Sequence, residues 1–104
     1  MENNIGKKTQ KKTYVLGNIM EEIVRAEARS IINGMHMCTC EKCFIDVCAM
    51  ALNSLTPRYV TTLKGSLFAQ IEDLDPNEHV HVTMEVTRAA KKVKSAPQHT
   101  EEQE

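Results

Sequence analysis

Four cysteines, Cys38, Cys40, Cys43 and Cys48, fall within the run CTCEKCFIDVC, and the chain has no others. No other feature restricts the fold so strongly, because what clustered thiols do depends on the compartment that holds them. No run of eighteen apolar residues occurs, and the start MENNIGKKTQKK lacks the apolar stretch of a secretory signal. The expected location is the cytoplasm, where disulfides are rare and thiolate metal sites are common. Zn²⁺ accepts soft thiolates in a tetrahedron, so the C-x-C-x2-C-x4-C spacing is read as a zinc site with Cys38, Cys40, Cys43 and Cys48 as candidate ligands. The spacing differs from the two separated knuckles of a zinc ribbon, so the site is expected to be compact and local.

Helical geometry treats these four residues unequally. Sulfurs on a tetrahedral zinc lie about 3.8 Å apart. Cys38, Cys40 and Cys43 sit where a loop meets a helix's first turn and can curl round an ion. Cys48 lies five residues past Cys43, a rotation of about 500° that leaves it about 140° away on a helix. It can join only if Cys43 lies outside the regular helix; otherwise it is a small buried core residue. His36, Asp46, His79 and His81 are alternative fourth ligands. An Fe–S cluster would also use four thiolates. Cys40 and Cys43 have the spacing of a redox pair, but no strand precedes them as it does in a thioredoxin-like fold.

The rest of the chain favours helices. Aromatic residues make up 4% and Trp is absent, so a core must come from Ile, Val, Leu, Met and Ala. The expectation is an all-α protein: one small compact domain of about four helices over residues 14–95, stabilised by the cysteine-rich zinc site. A flexible basic arm (1–13) and a flexible acidic tail (96–104) flank it, since neither has enough apolar side chains to offset the cost of ordering. About eighty residues make a modest core, a size at which a metal or a second subunit often supplies stability.

In the first helix Ile19, Ile23, Val24, Ala28, Ile31 and Ile32 keep helical spacing. Asn18 and Glu21 suggest a capped start, and Gly34 is suited to a left-handed end. Glu21, Glu22, Arg25 and Arg29 read as its solvated face. A second helix carries Phe44, Val47, Ala51, Leu52 and Leu55, is apolar nearly all round, and stops at Thr56-Pro57. Leu63, Leu67, Ile71 and Leu74 fit a short third helix. Asp75-Pro76-Asn77-Glu78 then starts a fourth. Val80, Val82, Met84 and Val86 alternate like a strand, but the cap and the Ala/Lys-rich end favour helix.

The block CTCEKCFIDVCAMALNSLTPRYV resembles the signature of the late competence development protein ComFB family. There C-x-C-x2-C precedes a D-V-x-A-x-A-L-N-x-L helix and a P-x-Y turn, matched here by Cys38, Cys40, Cys43, Asp46, Val47, Ala49, Ala51, Leu52, Asn53, Leu55, Pro57 and Tyr59. The resemblance extends more weakly over about Asn18 to Pro97. It implies a compact helical monomer, a homodimer and a cysteine-bound zinc.

No catalytic constellation is visible: no nucleophile motif accompanies His79 and His81, and no Gly-rich phosphate loop occurs. A non-enzymatic regulatory protein is expected, with the zinc structural. The resemblance also implies cyclic di-GMP as a ligand, which places the chain in signalling of competence, motility or surface behaviour. Arg58, Tyr59 and Lys64, just past the second helix, are the candidate binding residues, since Arg pairs with phosphate or stacks on guanine, Tyr stacks and Lys adds charge. The plain alternative is that Arg58 and Tyr59 only fix the turn. A second hypothesis is a zinc-stabilised interaction adaptor for an unidentified protein partner, using Met35, Met37, Met50 and Met84 as a contact surface, unless these methionines are core. Membrane association is not expected. Nucleic-acid binding is disfavoured too: five cationic residues face ten acids between Tyr14 and Thr87, and the formal charge is −1.

Overall fold

The computed structural model describes residues 14–61 and 74–99. Along them run strand β1 (Gly17–Asn18), helix α1 (Ile19–Asn33), helix α2 (Glu41–Asn53), strand β2 (Tyr59–Val60) and helix α3 (Pro76–Ser95). Each helix packs on the other two, and the strands pair antiparallel with Gly17 opposite Val60 and Asn18 opposite Tyr59. The fold is all-α as expected, with three helices among the described residues rather than four. The arm 1–13, the short helix expected up to Leu74 and the tail from residue 100 lie outside them, while Leu74 itself is buried.

Each helix starts where the sequence offers a cap. Asn18 Oδ1 accepts from the Met20 N–H at 3.1 Å, so the cap closes there and not through a reciprocal pairing with Glu21. The same oxygen accepts the Arg58 N–H at 2.7 Å, which ties β2 to the start of α1. In α3, Asp75 Oδ1 accepts the Glu78 N–H at 2.8 Å and Glu78 Oε1 accepts the Asp75 N–H at 3.3 Å, a reciprocal cap with Pro76 in the first turn. With this start fixed, helical periodicity overrides the alternating valines: Val82, Val86 and Val93 are buried while Val80 stays exposed.

At the end of α1 the expected glycine device is absent. Gly34 has φ −91°, an ordinary right-handed value, and the left-handed residue is His36 with φ 53°. The reversal into the thiol loop thus comes two residues later than a glycine cap would put it.

The core runs between the three helices, with Ile23, Val24, Cys43, Val47, Val82, Val86 and Val93 wholly enclosed. Polar contacts at its margins set the packing. The Arg29 guanidinium lies 4.1 Å from the Phe44 ring centroid, joining α1 to α2. Thr83 donates to Glu27 at 2.9 Å, joining α3 to α1. Lys94 Nζ donates to the Met35 carbonyl at 2.9 Å, which holds the end of α3 against the loop between α1 and α2. The four methionines divide: Met35 and Met37 pack against the core, while Met50 and Met84 are exposed.

Candidate metal centre

The loop that leaves α1 delivers the thiols to the start of α2. Cys40 is the N-cap, its sulfur accepting the Cys43 N–H at 3.4 Å, and Cys43 is the third residue of the helix. Cys38 lies two residues before the cap. The fourth member comes from the far end of the sequence: past the end of α3 the chain brings His99 back so that Nε2 is 3.5 Å from Cys38 Sγ. One ligating atom from each of Cys38, Cys40, Cys43 and His99 lies within 4.8 Å of all the others. A tetrahedral zinc needs separations of about 3.8 Å, so three sulfurs and one imidazole nitrogen fit it with small adjustments.

The environment makes the thiols unequal. Burial pushes the Cys43 thiol up to about 12, with further increases from its Cys38 and Cys40 neighbours. Cys40 is lowered, chiefly because its sulfur accepts the Cys43 backbone N–H. Negative charge therefore develops more readily on the cap than on the buried thiol, and a metal must displace the Cys43 proton to engage all three sulfurs.

Cys48, expected among the ligands, is not in this group. Because Cys43 lies inside the regular helix, the rotation of about 140° applies and turns Cys48 into the core, where burial raises its thiol against the opposing effect of Arg25 and Arg29. The alternatives named from sequence are also elsewhere. His36 and His79 are exposed, Asp46 pairs with Lys42 at 2.8 Å, and His81 faces Glu85 at 3.5 Å. His99 is absent from the candidates read from sequence, which assigned it to the tail. The local signal is thin: a histidine soon after Pro97, beyond the helix end.

A second feature lies at the other end of α2. Arg58 lines a cleft of about 280 Å³ together with Met20, Leu55, Pro57, Glu78 and His81. Its Nη1 is buried without a hydrogen-bond partner, 3.6 Å from Glu78 Oε1. Tyr59 follows on β2 and is 63% exposed. Lys64 lies outside the described residues. Among the described residues no helix is long and apolar enough to cross a membrane.

The model for late competence development protein ComFB matches residues 17–97, from β1 through the thiol loop to the end of α3 and just beyond. The chain belongs to the ComFB family. Competence protein ComFB of Bacillus subtilis (strain 168) is 29% identical over 84 residues, which cover 80% of this chain and 86% of that protein. The solved structure of the late competence protein ComFB from Bacillus subtilis matches with a TM-score of 0.68 at 29% identity, over 81% of this chain and 96% of the other. The three-helix arrangement is therefore that of a ComFB protein.

Proposed function

We propose that this ComFB-family chain is a non-enzymatic, cytoplasmic regulatory protein, a homodimer that holds one structural Zn²⁺ and receives cyclic di-GMP beside Arg58. The convergence of Cys38, Cys40, Cys43 and His99 is the observation that carries the metal assignment. Four protein donors fill a tetrahedron and leave no open position for an activated water, which is why the role is structural. The nucleotide reading is supported by the Arg58 Nη1 that lacks a hydrogen-bond partner at the cleft and by the exposed Tyr59 next to it. An arginine there can pair with a phosphate or with the guanine edge, and a tyrosine can stack on the base.

Calorimetry with cyclic di-GMP at physiological salt, alongside elemental analysis and light scattering, tests it. The expected result is about one zinc per chain, a dimer, and saturable binding that Arg58→Ala weakens by about 2 kcal/mol with zinc and helicity unchanged. Absent binding, or binding indifferent to that substitution, leaves the zinc-stabilised adaptor, a reading favoured by the exposure of Met50 and Met84.

A further inference from the structure

The three thiols of the metal centre differ in what can reach them. Cys43 is wholly enclosed in the core, whereas Cys38 and Cys40 are half-buried and keep part of their surface in solvent. Their sulfurs also point to different neighbours. Cys38 Sγ meets His99 Nε2 at 3.5 Å, while Cys40 Sγ is turned back over the first turn of α2, where it accepts the Cys43 N–H at 3.4 Å. Cys40 is the N-cap of that helix and Cys43 its third residue. Two residues at this helical spacing have Cα atoms about 5 Å apart, inside the window of about 4.4–6.8 Å that a disulfide requires. None of the four cysteines is in a disulfide here.

We propose that Cys40 and Cys43 are a redox pair, and that oxidation by hydrogen peroxide joins them and ejects the metal. This regulation of the metal centre rests on the zinc reading above. Peroxide meets Cys40 first, because its sulfur is reachable and caps a helix N-terminus, where thiolate reactivity is favoured. The Cys40 sulfur attacks the peroxide, the O–O bond breaks, and a sulfenic acid and one water result. The Cys43 sulfur, within 4.8 Å, then attacks the sulfenic sulfur, whose S–O bond breaks as a second water leaves. In sum, two thiolates, one peroxide and two protons give one disulfide and two waters; the sulfurs supply the two electrons that the peroxide takes up. Because the partner thiol is already beside Cys40, the sulfenic acid is captured as a reversible disulfide before it climbs to sulfinic acid. A disulfide offers no thiolate, so the donor set falls from four to Cys38 and His99, too few to keep zinc. A thioredoxin-like strand is not needed for this chemistry, which depends only on the placement of cap and third residue. Disulfides of a reducing compartment are characteristically transient and redox-sensing, which suits a pair that gates a metal.

The test uses the full zinc-loaded chain, hydrogen peroxide and a chromogenic zinc chelator, with mass-spectrometric mapping of the unreduced products. Zinc content is measured before peroxide is added. Cleavage after Lys42 separates Cys38 and Cys40 from Cys43 and Cys48, so a Cys40–Cys43 bond links two peptides whereas a Cys38–Cys40 bond links none. Fragmentation then assigns the bonded sulfurs. Peroxide should release about one equivalent of zinc per chain as the Cys40–Cys43 disulfide accumulates, and a dithiol reductant should restore both the thiols and zinc uptake. Cys48, turned into the core, should stay reduced, and Cys48→Ala should release zinc as the unsubstituted chain does. Cys40→Ser and Cys43→Ser remove a ligand together with the redox partner, so the products of the unsubstituted chain decide. Zinc that stays bound in excess peroxide, release with a Cys38–Cys40 bond or a sulfinic acid in place of the Cys40–Cys43 disulfide, or release that reductant does not reverse, overturns the proposal and leaves the metal reading standing. A chain that holds no zinc before peroxide overturns both.

Discussion

The two ends of α2 solve opposite problems. At its start the polar groups close on one another: Cys40 caps the helix, Cys38 and Cys43 flank it, and His99 arrives from beyond α3, all within 4.8 Å. At its far end Pro57 stops the helix and Arg58 extends towards α3, leaving Nη1 buried without a hydrogen-bond partner beside an open cleft. A closed set of donors with mutual contacts is suited to holding the fold. At the far end the Arg58 guanidinium faces the Glu78 carboxylate at 3.6 Å without a hydrogen bond at Nη1, beside free volume. The length of α2 thereby separates the clustered donors from the Arg58 cleft.

The largest effect expected from breaking this contrast comes at the closed end. Chelation, or Cys43→Ser, should remove zinc and several kcal/mol of stability together, read as lost helical signal and a lowered melting temperature. His99→Ala should weaken zinc retention at least about tenfold, whereas Cys48→Ala should keep the metal and cost about 1 kcal/mol through a small core cavity. Zinc retained by His99→Ala and lost by Cys48→Ala would exchange their places.

A smaller effect should follow pH. In the metal-free chain Cys43 is raised from 9.0 to about 12, so folding favours its protonated form. That contribution is full below pH 9 and is lost as the pH rises towards 12. Zinc binding requires thiolates, so retention of the metal should run the other way and fail as pH falls. Denaturant titrations of the metal-free chain, set against zinc content across the same pH series, check both signs.

The smallest effect belongs to the open end. Asn18→Ala deprives the Met20 and Arg58 N–H groups of one shared acceptor and should cost about 1–2 kcal/mol in urea unfolding, with zinc content unchanged. A matching loss of zinc would show that the two ends are coupled and not separate.

What the sequence disclosed follows from the range of each interaction. The α3 start was legible because Asp75, Pro76 and Glu78 act within one turn, and the end of α2 because Pro57 acts on its neighbour. The resemblance of the CTCEKCFIDVC block to the ComFB family pointed to the family correctly, and three of the four clustered donors lie within it. The fourth was hidden because His99 meets Cys38 across 61 residues, through the packing of α3 on the other helices and the Lys94 contact to Met35. Cys48 was adjacent in sequence yet turned away, a result that helical rotation allowed for once Cys43 lay inside the helix. Gly34 misled in the same local way. Its freedom to adopt a left-handed conformation went unused, and His36 took that conformation instead.

The distance between Cys38 and His99 along the chain also bears on how the molecule comes apart. A metal held by both closes a loop spanning 61 residues that contains all of α2 and α3. By the chain-entropy relation for a covalent cross-link, closing a loop of that size removes about 4 kcal/mol of disorder from the unfolded ensemble. Helix α3 then cannot peel away on its own while the clasp is shut. Its C-terminal turns, which would otherwise fray at a helix end, become part of one cooperative unit, and their amide exchange should slow to the rate of global opening.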